Sequence, residues 1–178
     1  LKFLYESAQG NPGTAAQIAR QFVGEAPNVI VPISTPSAQA VVAATRDIPV
    51  VFTAVSDPVG AQLVKDIQKP GRNVTGLSDM LPVAEHLALI KEISPNAKSI
   101  GFIYNSAEAN SVSTLALLKT EAEKAGLKVV ESVATKSAEV QGATRALVGK
   151  ADVIYVPTDN TIVSAFEAAA GVAAEAKI

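Results

Sequence analysis

The chain has no cysteine, no tryptophan, one histidine and one methionine among its 178 residues. The missing thiols exclude a disulfide framework, a thiolate metal site and a cysteine nucleophile. A Ser-His-Asp triad would have to use His86, which falls on an expected helix rather than at a strand end, and no G-x-S-x-G elbow accompanies it. Neither G-x-x-x-x-G-K-S/T nor G-x-G-x-x-G occurs, and Gly10–Gly13 is only a loose G-x-x-G at a helix start. Loop carboxylates are single and lack metal-ligand spacing, so neither a metal nor a cofactor is expected. Lysine and arginine number 15 against 17 acidic residues, a net charge of −2. The basic residues are dispersed, so no nucleic-acid footprint is present. The longest apolar runs, such as Val50-Val51-Phe52-Thr53-Ala54-Val55, fall far short of a membrane span.

What is abundant is small and apolar. Hydrophobic residues make up 48% of the chain but aromatics only 4%, and the mean hydropathy is +0.27. The apolar content is mostly Ala and Val, which favours an Ala-rich layered α/β protein over a thin-cored sandwich. Periodicity predicts strands near 2–6, 28–33, 49–54, 73–77, 99–104, 127–133 and 152–156. Between them it predicts helices near 12–24, 36–46, 58–69, 82–94, 109–125, 137–148 and 160–176. Strict β/α alternation implies parallel sheets with right-handed crossovers.

The chain also resembles itself. KFLYESAQGNPGTAAQIARQFVGEAPNVIVP, from Lys2 to Pro32, matches KVVESVATKSAEVQGATRALVGKADVIYVP, from Lys128 to Pro157. Arg20 falls on Arg145, Asn28-Val29-Ile30 on Asp152-Val153-Ile154, and Pro32 on Pro157, at nearly constant separation. This predicts two lobes of like topology. Lobe one covers 1–78, a hinge crossover 79–83, and lobe two 84–178. The second copy is preceded by a βα unit, Ser99–Gly126, that the first copy lacks. The strand at Ile48–Phe52 has no counterpart before Ile178. The register therefore predicts a chain truncated by a unit at each end.

In open parallel sheets ligands bind beyond the carboxyl ends of the strands. The loops there in lobe one include Asn11-Pro12, Ser34-Thr35-Pro36-Ser37 and Val55-Ser56-Asp57-Pro58. Each sets a capping residue before a proline that suits the first helical turn. In lobe two they are Asn105–Ser111 and Thr158-Asp159-Asn160-Thr161. Such caps occur on most helices whether or not anything binds. What favours a site is their convergence, because several helix N-termini aimed into one cleft suit a carboxylate. Asp159, or in second place Asp57, can pair with an ammonium group, which reads as recognition of a zwitterion. Asn73-Val74-Thr75 fits a glycosylation acceptor but also a loop-to-strand edge.

Several of these strings are distinctive together. Ile48-Pro49-Val50-Val51-Phe52-Thr53-Ala54-Val55-Ser56-Asp57-Pro58-Val59-Gly60 is followed by Lys69-Pro70-Gly71-Arg72-Asn73-Val74-Thr75-Gly76 and Ser78-Asp79. With Thr35–Ala40, Tyr104-Asn105-Ser106 and Asn110-Ser111, they resemble the ABC transporter substrate-binding family that includes tryptophan- and tyrosine-type binding proteins. The resemblance runs nearly the whole chain. It implies a type I periplasmic-binding-protein fold, two Rossmann-like lobes with parallel sheets joined by three crossovers. It also implies capture of an amino acid, aromatic or related, by hinge closure and delivery to an ABC permease in the membrane. The implied location is periplasmic or lipid-anchored extracytoplasmic, with a monomeric protein that performs no chemistry. Carried onto these residues, it expects Ser34, Thr35 and Ser37, with Thr53 and Ser56, to hold the ligand carboxylate. Asn105, Asn110 and Ser111 close over it, and Asp159 pairs with the ammonium group, helped by Asn160. Tyr5 and Tyr104 lie near strand ends and can either contribute or belong to the core. The competing readings are an effector-binding domain of a transcription regulator with the same fold, and an enzyme of flavodoxin-like or hydrolase type.

Overall fold

The computed structural model describes residues 1–178. The chain divides into two compact units, Leu1–Met80 and Leu81–Ile178. In the first, helix α1 (Pro12–Gly24) starts where the Asn11 side chain accepts the Thr14 amide at 2.9 Å. The stretch after it, helix α2 (Thr35–Ala44) and strands β1 (Val50–Val55) and β2 (Val74–Ser78), build a small parallel sheet. Residues Ile30 and Ile33 add single bridges to Val50 and Thr53 on the outer side of β1. Ile30, Val50, Phe52, Val55 and Val74 form its buried apolar centre, and Ala38 and Val41 of α2 are buried with them.

The K-P-G-x-N-V-T-G string has a packing explanation. Gly71 takes a left-handed φ of 72°, and the Asn73 amide donates to the Ile48 carbonyl at 2.7 Å, which aligns β2 beside β1. A Cβ on Gly76 would lie 2.1 Å from the Phe52 carbonyl oxygen and 2.4 Å from its ring. Only glycine fits there.

The second unit is a three-layer α/β sandwich. Its sheet runs in the order β4 (Lys128–Val133), β3 (Ser99–Tyr104), β5 (Val153–Tyr155), all parallel. Strand β3 is central and covered on both faces, which explains its unbroken apolar run. On one side Ile100, Phe102 and Tyr104 pack against α3 (Val83–Ile93) and α4 (Ala109–Lys124) through Leu87, Leu115 and Leu118. On the other, Ile103 meets Val140 of α5 (Val140–Arg145), Leu147, Ile162 of α6 (Asn160–Val163) and Ala169 of α7 (Phe166–Ala176). No helix is long and apolar enough to cross a membrane.

Five expected elements differ. Residues 2–6 form no strand, and Phe3 and Tyr5 stand in solvent, because no neighbouring strand offers them a ladder. The expected strand 28–33 reduces to its two bridges. Residues 58–69 do not form a helix. Asp57 Oδ1 accepts the Gly60 amide at 2.8 Å and Gln62 turns left-handed at φ 61°, so the chain coils for one turn and stops. Ala61, Leu63 and Val64 are nevertheless buried, which accounts for the apolar periodicity. The expected helix 160–176 breaks at Ser164–Ala165 into α6 and α7. The expected helix 137–148 becomes a 3₁₀ turn at Ser137–Glu139 followed by α5.

Candidate functional site

In the first unit the polar residues gather at the carboxyl end of β1 and the start of α2. Ser34, the residue before α2, has φ 78° and ψ 156°, and Ala54 in β1 has φ 52°. Both are left-handed without being glycine, on neighbouring segments, and the β1–β2 register slips between Phe52 and Val55. Backbone held in such conformations concentrates where function requires it. The Ser34 amide donates to the Thr53 carbonyl at 3.1 Å, which locks the two segments together. The Ser34 hydroxyl lies 3.4 Å from that of Ser37.

The start of α2 is left rich in unspent donors. Pro36 has no N–H to offer, and the amides of Thr35 and Ser37 make no hydrogen bond within the chain. Thr35 is 1% exposed, yet its Oγ1 has no hydrogen-bond partner. A buried hydroxyl without a partner costs free energy, and it sits with two free helical amides. This cluster can accept an anion. Ser56 is buried, and its carbonyl accepts the Ser78 hydroxyl at 2.7 Å, tying β2 to the end of β1. Asp57 serves the turn described above.

The second unit carries the opposite chemistry at the carboxyl ends of β3 and β5. Asp159 has no exposed surface. Its Oδ1 accepts the Ile162 amide at 2.9 Å, and its Oδ2 accepts the Asn105 amide at 2.7 Å and the Ser111 hydroxyl at 2.6 Å. Burial pushes its carboxyl above the ordinary range, with the charge of Glu108 adding to the effect and the three donors opposing it. Glu108, 6% exposed, precedes α4 but does not cap it. Instead Oε2 accepts the Asn160 amide at 3.0 Å, its side chain at 2.6 Å and the Asn110 side chain at 3.2 Å. Oε1 accepts both the amide and the hydroxyl of Thr161, at 3.1 and 3.0 Å. Burial raises its carboxyl, but the donors from Asn160, Asn110 and Thr161 outweigh this and hold it below the usual range. The first three amides of α6 are therefore all taken by carboxylates.

Two smaller observations concern the histidine and the carboxylates. His86 Nδ1 lies 2.7 Å from the Tyr155 hydroxyl, with the rings 5.8 Å apart, and Tyr155 stacks on Phe102. The phenol is pushed up to about 12 by burial. No serine or carboxylate joins that pair, so it makes no triad. No group of three or more His, Cys, Asp or Glu residues is placed to hold a metal ion.

A family model described as ABC transporter substrate binding protein matches residues 1–178. The chain belongs to that family. A curated relative, the tyrosine-binding protein of Clostridioides difficile, is 48% identical over 178 residues, all of this chain and 52% of the relative. A solved conserved domain protein from Vibrio cholerae is 60% identical, with a TM-score of 0.98 over 99% of this chain and 60% of that one. A Streptococcus pneumoniae domain solved in complex with L-Trp is 39% identical, with a TM-score of 0.96 over 99% of this chain and 62% of that one. The chain thus spans about half the length of the curated relative and about three fifths of these solved structures. Its fold is that of the type I periplasmic binding proteins, α/β with parallel sheets.

Within this substrate-binding family member, the expected residues divide into two groups. Ser34, Thr35, Ser37, Thr53 and Ser56 come together at the β1 end, and Asn105, Asn110, Ser111, Asp159 and Asn160 at the β3 and β5 ends. Both oxygens of Asp159 accept bonds within the unit and none of its surface is exposed, so it clamps the β3 and β5 loops. Tyr104 belongs to the core, its hydroxyl donating to Glu131 at 3.1 Å, whereas Tyr5 is exposed. Sequence reasoning missed Glu108 and Thr161. The only signal was a carboxylate directly before a helix start that has no cap of its own.

Proposed function

We propose that this chain is the larger part of an extracytoplasmic solute-binding protein of an ABC importer, binding one zwitterionic amino acid with an aromatic side chain. The observation that carries the reading is the contrast between the loops: unspent donors before α2, and buried carboxylates behind Asn105, Asn110, Ser111 and Asn160. Thr35 Oγ1, the amides of Thr35 and Ser37, and the hydroxyls of Ser34, Ser37, Thr53 and Ser56 receive the ligand carboxylate. The asparagines and Ser111 of the second unit receive the amine. Asp159 acts from behind them and Asp57 only through its turn. An aromatic side chain is supported by the relatives named for tyrosine and solved with L-Trp.

The role is capture without chemistry. Residues 79–83 serve as the hinge between lobe one and lobe two, binding closes the lobes, and the monomeric protein hands its ligand to a membrane permease. Periplasmic or lipid-anchored placement follows from that role. Calorimetric and thermal-shift screening of the intact protein against the twenty amino acids tests it. A bound ligand stabilises by about 2.7 kcal/mol at a hundredfold excess over Kd. L-Tyr or L-Trp should raise the melting temperature, and no shift with any amino acid overturns the reading.

A further inference from the structure

Asn110 has an unusual arrangement at the start of α4, a helix of sixteen residues. It is 3% exposed, and its amide nitrogen is claimed by three oxygens: Glu108 Oε2 at 3.2 Å, the Thr158 carbonyl at 2.9 Å and the Ser111 hydroxyl at 3.4 Å. Its Oδ1 has no hydrogen-bond partner at all. The orientation of the amide is thereby decided. A carboxylate and a carbonyl only accept, so the nitrogen must face them and the oxygen must face away. Flipping the amide would set Oδ1 against Glu108 Oε2 and the Thr158 carbonyl, three acceptors with no proton among them. Glu108 thus forces a buried acceptor to remain unspent, and a native structure seldom leaves one so without a reason.

The same carboxylate holds the other side of the loop pair. Through Asn160 and Thr161 it fixes the start of α6, and Thr161 Oγ1 in turn accepts the Asn105 side chain at 2.8 Å. Asn105, Asn160 and Thr161 each already donate a bond within these loops. Asn110 Oδ1 keeps its acceptor capacity unspent, with Glu108 directly behind the amide and Asp159 one residue further, through Ser111.

We propose that Glu108 is the positioning residue of the subsite for the ligand's cationic nitrogen, orienting Asn110 so that its Oδ1 accepts from that nitrogen. The inference rests on the amino-acid reading above and names the part of the site that reads the amine. Glu108 does not touch the ligand; Asn110 does. Replacing Glu108 by Gln sets an N–H against the amides of Asn160 and Thr161 and offers Asn110 a partner of either sense, so the amide is free to turn.

The test separates reading the amine from holding the fold. The intact protein and its Glu108→Gln and Asn110→Ala variants are titrated calorimetrically with L-tyrosine and with 3-(4-hydroxyphenyl)propionate, which lacks only the amine; L-tryptophan and indole-3-propionate form a second pair. Both variants should lose about tenfold to a hundredfold in affinity for the amino acid, the scale of one charge-assisted hydrogen bond, while binding of the des-amino acid changes less than about twofold. Equal losses for both members of a pair overturn the proposal and leave Glu108 a fold residue. Should Glu108→Gln fail to fold, Asn110→Ala decides alone, and unchanged discrimination overturns it. If the wild-type protein binds no amino acid, the functional reading falls with it, a result distinct from equal losses.

Discussion

Both units start a helix at the carboxyl end of a parallel strand, and they meet the unpaired amides there in opposite ways. At α2 the amides of Thr35 and Ser37 and the buried Thr35 hydroxyl are left without protein partners. At α6 the amides of Asn160, Thr161 and Ile162 are all taken by Glu108 and Asp159. One end is a reserve of donors; at the other, two carboxylates take the first three amides. The same topology can therefore present opposite polarity, decided by whether carboxylates or hydroxyls occupy the strand-to-helix loops. A zwitterion has two ends of that kind.

The contrast can be broken most severely at Asp159. Changing it to Ala leaves the Asn105 amide, the Ser111 hydroxyl and the Ile162 amide without their acceptor inside a buried site. Unpaired buried donors cost about 1–3 kcal/mol each, so urea unfolding should show a loss of roughly 3 kcal/mol or more. A loss under about 1 kcal/mol would mean the loops can rearrange, and the clamp would not be a clamp.

Next in size is a pair of strand glycines, one in each unit. A Cβ on Gly76 meets the Phe52 backbone at 2.1 Å, whereas one on Gly101 meets the Leu147 side chain at 2.9 Å and Ala151 at 3.0 Å. Backbone cannot step aside, but a leucine rotamer can. Gly76→Ala should therefore cost roughly 2–3 kcal/mol and Gly101→Ala about 1 kcal/mol by chemical denaturation. The reverse order would show that the β1–β2 sheet is the more yielding of the two.

How much of this was legible beforehand depends on the range of each interaction. The β/α alternation was legible because β3 and β1 are continuous apolar runs. The α2 loop was legible because Ser34-Thr35-Pro36-Ser37 declares itself within four residues. Glu108 was not, because its partners Asn160 and Thr161 lie far along the chain and nothing local distinguishes it from a surface acid. Residues 58–69 misled for a related reason: burial of Ala61, Leu63 and Val64 imitates a helical face, while the Asp57–Gly60 bond that stops the helix is invisible in the period. The clamp at Asp159 was not legible, because a sequence shows a carboxylate but not the donors already aimed at it.

The two carboxylates also predict a divided response to pH. Glu108 is depressed in the folded protein, so its contribution is fully present above the ordinary glutamate range and fades as pH falls through its folded value. Asp159 is raised, so it favours the folded state at low pH and that advantage is lost as pH rises through its folded value. Melting temperatures from about pH 7 down to about pH 3 should show the gap between wild type and Glu108→Gln narrowing as the carboxylates protonate. A gap that widens toward acid would reverse the assigned direction for Glu108.

The smallest effect on stability is the most telling, and it belongs to Thr35. Its Oγ1 is buried without a partner, so the folded protein gains nothing from that hydroxyl and carries its desolvation cost. Valine has nearly the same shape. Thr35→Val should therefore leave the melting temperature unchanged or raise it slightly, by no more than about 1 kcal/mol of stability. An ordinary buried threonine, such as Thr114 with its bond to the Asn110 carbonyl at 2.8 Å, should lose stability on the same change. If the start of α2 holds its donors for a ligand carboxylate, Thr35→Val must separate the two measurements, losing amino-acid affinity by about tenfold while keeping its fold. A stable variant with undiminished affinity would remove Thr35 from the site, and the polarity of the first unit would rest on the two helical amides alone.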